Sequence, residues 1–414
     1  MDRVCRPRAW RPAAVMVSLV AGTVAPARAQ VFESIPLWPG ATYSAAHTIS
    51  ADGRSVAGEM GTSGAARAFV WSRADGLTDL GLLPGAATSS AVCISGDGAV
   101  VVGNSGGRAF RWTAATGMQD LGTLPGGTTS AAYGVSGDGA IVVGWSATPS
   151  GSRAFRWTAS TGMVNLGALP NATFSAAMGI SYDGLTIVGC SDPDGIGPHA
   201  IRWITGQPMQ NLGPMPVTGG YTQAFGVSHD GSWVVGQGTV MGGTRTFRWS
   251  NPTGLINLGA LPTADNAGAR SVSADGRVLV GYSDSFNSLR ATIWTPETIL
   301  IDLRRYLMDF GAPLSTWTLL SANDVSADGK TIVGVGVCPS GQRAWIARLP
   351  ILPCLANCDN STSSPILTAM DFQCFVNRFA SGDSLANCDG STSAPMLTVN
   401  DFTCFMNRFA AGCP

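Results

Sequence analysis

Residues 130–139 read Ser-Ala-Ala-Tyr-Gly-Val-Ser-Gly-Asp-Gly, and the pattern that closes this stretch, Ser-x-Asp-Gly, returns seven times along the chain. Its aspartates are Asp52, Asp97, Asp138, Asp183, Asp230, Asp275 and Asp328, at intervals of 45, 41, 45, 47, 45 and 53 residues. A period near 45 means an array of small sheets. After each copy come an apolar Ile-Val-Val-Gly run, an Arg-Ala-Phe-Arg-Trp run and a Gly-Met-x-x-Leu-Gly-x-Leu-Pro run, as in residues 141–144, 153–157 and 117–125. Four short runs between Gly and Pro punctuation are the content of one propeller blade.

The two ends of the array decide between an open stack and a closed ring. Val31 to Ser44 matches Gly117 to Ser130 in place, with Phe32 at Met118, Ile35 at Leu121 and Pro39 at Pro125, so it reads as a fourth strand without its first three. The seventh unit ends at Pro350 after Arg343-Ala344-Trp345 and lacks a Leu-Gly-x-Leu-Pro segment. Placing the N-terminal strand in the seventh sheet completes it and removes exposed edges. The fold expected is an all-β, seven-bladed propeller over residues 30–350.

Most repeated residues have architectural work. Asp-Gly supplies a side-chain cap and a positive φ for a tight reversal. Phe110/Trp112, Phe155/Trp157 and Phe247/Trp249 are two apart, share a strand face and are expected between blades. The arginine opening that strand (Arg67, Arg108, Arg153, Arg245, Arg290, Arg343, with His199 in the fourth unit) is expected to bridge blades or to lie at the rim.

One position varies inside this fixed frame. Ala46, Ala91, Ala132, Ala177, Ala224, Ala269 and Ala322 recur in every unit, which suits a first strand crowded around an axis. The next residue changes each time: His47, Val92, Tyr133, Met178, Phe225, Arg270, Asn323. This mixed aromatic and polar ring is the candidate ligand-facing surface, and filler between unequal blades is the competing reading.

Met1 to Ala29 carries Arg3, Arg6, Arg8 and Arg11, then an apolar run from Ala13 to Val24, then Ala27-Arg28-Ala29, the form of a secretory signal. No later run is long enough to span a bilayer. The chain is expected outside the cell or at its surface. Only 12% of residues are charged, the net charge is −1 and Lys330 is the sole lysine, so there is no basic stripe for nucleic acid. A monomeric ring is expected.

Residues 351–414 form a second unit. Leu355 to Asp383 and Leu385 to Cys413 are a tandem duplication holding, with Cys354, six of the ten cysteines. Such density in an exported chain implies a disulfide framework for a module too small to hold itself by burial. The symmetry of the duplication suggests Cys358 with Cys374, Cys388 with Cys404, and Cys354 with Cys413, one of 15 pairings open to six cysteines. Cys93, Cys190 and Cys338 lie in separate blades and are expected as buried thiols. Each half of the tail also looks like an EF-hand calcium loop followed by a helix. Oxygen ligands in the first would be Asn357, Asp359, Ser361, the Ile366 carbonyl, Thr368 and Asp371. In the second they would be Asn387, Asp389, Ser391, the Met396 carbonyl, Thr398 and Asp401. Few carboxylates and an inserted Ser-Thr-Ser-x-Pro point to weak calcium binding, and a stapled Asx turn is the alternative. Phe372, Phe375 and Phe379, and likewise Phe402, Phe405 and Phe409, are spaced for one helix face, so two helices are expected to meet there.

Two resemblances follow. The units with Ser-x-Asp-Gly, Arg-Ala-Phe-Arg-Trp and Leu-Gly-x-Leu-Pro resemble the HAF repeats of bacterial exported proteins, across residues 31–350. The tail, with Asn-Cys-Asp-Gly, Asn-Asp-Phe-x-Cys-Phe-x-Asn-Arg-Phe and a closing Gly-Cys, resembles GC-type dockerin modules of planctomycete-like proteins. The second resemblance implies paired calcium loops and a docking role toward a cohesin-like or other cell-surface partner. HAF arrays imply no settled activity, and the function expected from the residues is that of an exported, non-catalytic propeller that binds a glycan or protein at the cell surface and is tethered by its tail. The alternative is a polysaccharide-active enzyme, a lyase or glycoside hydrolase, on the same scaffold, although His47, His199 and His229 have neither metal spacing nor a triad order.

Overall fold

The fold is that of a computed structural model, which describes residues 32–193, 197–215, 220–285, 288–296, 299–349, 369–380, 399, 401–403 and 405–406. Among these residues, 28 strands form seven four-stranded sheets. The first blade is β2 (Tyr43–Ile49), β3 (Ser55–Thr62), β4 (Ala65–Ser72) and β5 (Gly76–Gly81), paired in that order by antiparallel ladders. Blades two to six repeat this meander, opening with β6 (Ser89–Ile94), β10 (Ser130–Val135), β14 (Phe174–Ile180), β18 (Thr222–Val227) and β22 (Asn266–Val272). The seventh consists of β26 (Thr318–Val325), β27 (Thr331–Cys338), β28 (Gly341–Arg348) and the N-terminal strand β1 (Phe32–Ser34). Phe32 pairs with Ala347 and Ser34 with Trp345, so the chain's beginning supplies the strand its last unit lacks.

The opening strands touch one another in a closed round, which makes them the innermost strands. Each ends in a Ser-x-Asp-Gly turn, and the turn's chemistry is the same seven times. In the third blade Ser136 Oγ donates to Asp138 Oδ1, Asp138 Oδ1 accepts the Ala140 N–H at 3.0 Å, and Ser136 Oγ accepts the Ile141 N–H at 3.0 Å. Gly139 takes a φ of 71°, a conformation only glycine adopts without strain. The aspartates are therefore turn caps, as their repetition implied. The Ser-x pair also carries backbone bonds: the residue x donates its N–H to the carbonyl of x in the next blade at six steps. They run Ala51 to Gly96, Gly96 to Gly137, Gly137 to Tyr182, Tyr182 to His229, Ala274 to Ala327 and Ala327 to Ala51. These bonds girdle one end of the axis.

Between blades the core is aromatic. Phe110 packs with Ala57, Leu80 and Leu83 of the blade before it, Phe155 with Val100, Val102 and Leu124, and Phe247 with Val188, Leu212 and Met215. All three phenylalanines are fully buried. A buried hydroxyl fastens five of the seven seams, from Ser44, Ser89, Ser130, Ser175 and Thr222: Ser130 Oγ, for example, accepts from the Ala109 N–H and donates to the Gly122 carbonyl. At the closing seam Ser44 Oγ accepts from the Ala344 N–H in the same way. The strand-opening arginines divide between the two expected roles. Arg153, Arg245 and Arg343 reach the carbonyls of Thr173, Asp265 and Thr42 in the following blade, whereas Arg67, Arg108 and Arg290 pair with Asp79, Asp120 and Asp302 of their own.

The 53-residue interval contains a helix, α1 (Leu303–Asp309), between the sixth and seventh sheets. Asp302 caps it by accepting from the Arg304 and Arg305 N–H groups, and Leu303, Tyr306 and Leu307 are buried between the sixth and seventh blades. Only Cys190 among the three blade cysteines is fully buried; Cys93 and Cys338 are half-buried free thiols, Cys338 because it sits at the β27–β28 turn, where its Sγ lies 3.1 Å from Ser340 Oγ.

In the tail, α2 (Ala369–Ala380) and the helical residues 401–403 meet as their phenylalanine spacing suggests. The buried rings of Phe375 and Phe405 stack with centroids 4.0 Å apart, and Phe372 meets Phe402 edge-on at 5.9 Å. The segment expected to be a signal lies outside the described residues, as do the side chains of the candidate calcium ligands other than Asp401. Neither Cys374 nor Cys404, nor any of their proposed partners, has a described side chain.

Candidate functional site

Each innermost strand breaks its ladder at the same place, and β26 breaks it a second time between Leu319 and Ser321. The register slips between Ala46 and Thr48, Ala91 and Cys93, Ala132 and Gly134, Ala177 and Gly179, Ala224 and Gly226, Ala269 and Ser271, and Ala322 and Asp324. The residue skipped is the variable one. A bulge leaves a single residue unpaired and re-aims its side chain. Here the seven skipped residues, His47, Val92, Tyr133, Met178, Phe225, Arg270 and Asn323, all line one axial channel of about 690 Å³. The preceding alanines are packed out of solvent, at most 2% exposed, where any larger side chain would spread the blades. The structure thus brings the whole candidate ring together.

Some ring members are held by the wall. His47 Nδ1 lies 2.9 Å from the Ala91 carbonyl of the next blade, and Asn323 Nδ2 donates to the Ala46 carbonyl at 2.8 Å. Tyr133 Oη accepts from Trp145 Nε1 at 3.1 Å. Arg270 is exposed, with its guanidinium over the rings of Tyr282 and Phe225 at 5.2 and 5.8 Å from their centroids.

Two features of the channel were not read from the sequence. The first is Asp324. Its Oδ1 accepts from Ser271 Oγ of the sixth blade at 2.6 Å and from the Val325 N–H, and its Oδ2 accepts from Thr48 Oγ1 and the Ile49 N–H of the first blade, both at 2.9 Å. Protein surrounds it and its remaining accessible surface opens into the channel. Burial pushes its carboxyl above the ordinary carboxylate range, while the four donors pull the other way. Burial, and then the proximity of Asp324, raises the neighbouring Cys93 thiol to about 11, which leaves it unreactive near neutral pH. The signal was present: the other units have Thr, Cys, Gly or Ser at this position.

The second is the floor of the channel. Residue x of the turns is Ala or Gly in five blades, but Tyr182 and His229 in the fourth and fifth. Their rings stack with centroids 4.6 Å apart and an interplanar angle of 18°. Neither Gly96 nor Gly137 has a positive φ, yet a Cβ on either would run into the Tyr182 ring. These glycines are needed for space. Tyr182 therefore lies across the second and third blades at the girdled end, and burial holds His229 below the usual imidazole value against the pull of Asp230.

Among the described residues no group of three or more His, Cys, Asp or Glu is arranged to hold a metal, and no helix is long and apolar enough to cross a membrane. No family profile and no curated sequence matches the chain. Solved structures do. An oligogalacturonate lyase in complex with manganese is 15% identical at a TM-score of 0.51, with 77% of this chain and 93% of that one covered. An oligogalacturonate lyase from Vibrio parahaemolyticus is 12% identical at 0.53, covering 77% and 94%. A prolyl endopeptidase is 11% identical at 0.50, covering 76% and 52%. Likeness at this identity shows the fold alone.

Proposed function

We propose that this chain is an exported, non-catalytic binding propeller that takes a ligand, a glycan or a protein segment, in its axial channel and is tethered at the cell surface by its dockerin-like tail. The observation that supports it is the set of seven bulges. A repeat that keeps its turn and its alanine, yet varies the residue its bulge turns toward the axis, has separated framework from contact surface. A glycan array probed with the whole chain, beside the variant with Tyr133, Phe225 and Arg270 all changed to Ala, tests it. Binding lost with the melting temperature retained supports the channel; loss of fold supports the filler reading.

The tail's role belongs to the same proposal. Asn357, Asp359, Ser361 and their counterparts offer only oxygen donors, a set suited to calcium, and Asp401 at the second loop's end is fully buried. Affinity in the range of extracellular modules, about 10⁻⁴ to 10⁻³ M, is expected. Calorimetry on the whole chain should show calcium heat that disappears in the Asp359→Ala, Asp389→Ala double variant.

The enzyme reading, a lyase or hydrolase acting on polysaccharide, is favoured by one observation: His47, Tyr133, Arg270 and Asp324 face a single channel. Against it, each Asp324 oxygen already accepts two bonds and His47 Nδ1 is occupied by a backbone carbonyl. Turnover of a bound polysaccharide would replace the binding reading.

A further inference from the structure

We infer that the ligand of the channel is acidic, the hexuronate end of a saccharide chain, and that Arg270 is the residue that recognises its carboxylate; this rests on the channel being the binding site. Arg270 differs from the strand-opening arginines. Those spend their donors on aspartates or on carbonyls of the next blade. The Arg270 guanidinium has no ion-pair partner among the described residues and is held by the faces of Phe225 and Tyr282. Tyr282 is itself fixed: its hydroxyl donates to Gln237 Oε1 at 2.6 Å, and Gln237 Nε2 donates to Gln223 Oε1 at 2.9 Å. Aromatic faces hold a guanidinium flat and leave its edge donors free, the arrangement that suits a carboxylate in a two-pronged grip.

The charge around the channel points the same way. Asp324 is its one acidic lining residue, and both its oxygens are taken by four donors from three blades. It has nothing left for Arg270. The other ionisable lining groups are His47, Tyr133, Tyr182, His229 and Cys93, so the open space has one cation in need of a counter-charge.

Geometry then selects a chain end. Tyr282, on β23 (Leu279–Ser285), pairs with Gly268, which precedes Arg270 on the side away from the Ser-x-Asp-Gly turn. Arg270 is therefore braced from the end of the channel opposite Tyr182 and His229. A saccharide entering there meets Arg270 and the rings of Phe225 and Tyr133, each presented as one side chain per blade. A peptide that binds by strand addition gains its affinity from main-chain hydrogen bonds to a sheet edge. Side-chain recognition by ring stacking and a charged grip fits sugar rings better.

The test is calorimetry on the whole chain with hexuronate trimers, built of glucuronate, guluronate or galacturonate, beside neutral hexose trimers. At least one hexuronate trimer should bind roughly tenfold or more tighter than the neutral series, with a preference that falls as salt is added. Arg270→Gln should bring it down to the neutral level with the melting temperature unchanged, and Arg270→Lys should fall between, keeping charge without the planar fork. Equal binding of neutral and acidic trimers, unaltered by Arg270→Gln, overturns the acidic assignment and leaves the channel reading standing. Preference for a peptide with a free C-terminal carboxylate over every saccharide overturns the saccharide class. If neither series binds, the channel reading itself falls.

Discussion

The seam between the second and third blades and the seam between the seventh and first do the same work with different means. In the former, Ser130 ties Ala109 to Gly122, and the chain itself runs from one blade to the next. In the latter the chain crosses as well, from β1 to β2, but the other three strands of the seventh blade come from the far end of the ring's sequence, and the bonds multiply. Ser44 accepts from Ala344, Arg343 reaches the Thr42 carbonyl, Asn323 reaches the Ala46 carbonyl, and Asp324 accepts from Thr48 and Ile49. The seventh unit departs from the repeat, with Asn-Asp where others have, for example, Tyr-Gly, at the place where it must hold a partner far away in sequence. Sequence irregularity in a repeat array here marks a joint.

The sharpest way to break the comparison is to remove β1. Deleting residues 31–39 should expose the β28 edge and the Trp345 face, lower the melting temperature by far more than any point change, and promote aggregation; an unchanged melting curve would show that the ring does not depend on its closure. Asp324→Ala comes next. It leaves the donors of Thr48, Ile49 and Ser271 without an acceptor beside the seam, and a loss of about 3 kcal/mol in denaturant unfolding is expected. Ser271→Ala removes one donor and should cost about 1 kcal/mol. Equal losses would mean that Asp324 bridges nothing.

How much of this could be read beforehand differs between the two seams. The ordinary seam was legible because its residues recur: Phe110, Phe155 and Phe247 announce their own packing, and Phe32, Ile35 and Pro39 fit the register of a missing strand. The bulges were not, since the skipped residue is defined by a partner strand's ladder; only its variability after a constant alanine was visible. Asp324 and the Tyr182–His229 pair occur once each, and a residue that occurs once has no period to reveal it. For α1, the long interval was visible, and Asp302 before Leu303 and Leu307 was its unread cap signal.

The channel floor gives the third test. Gly137→Ala should place a methyl group against Tyr182 and cost about 1 to 3 kcal/mol, and adding Tyr182→Ala should restore most of the loss. No recovery in the double variant would detach the glycine from the ring. The smallest effect concerns pH. Hydrogen bonds from Ser136 and Ala140 hold Asp138 below its ordinary value, so its contribution is present above about pH 4 and is lost as pH falls through the lower folded-state value. Asp324, raised by burial, has the opposite sign: its share is greatest in acid and declines as pH rises through its folded-state value. Acid titration of unfolding should therefore lose slope in Asp138→Asn and gain it in Asp324→Asn; slopes unchanged in both would contradict the turn and joint roles.

The pairing of Phe32 with Ala347 also sets an order of events. Six blades can assemble from neighbouring stretches as the chain emerges, each sheet from its own strands. The seventh cannot, because its outer strand is made first and its other three last. Over 300 residues separate the two, and bringing such distant segments together is slow. Until that meeting, β1 is an unpaired strand and the β28 edge is open, so the interval before closure is when this protein is most exposed to misassembly with a second copy of itself.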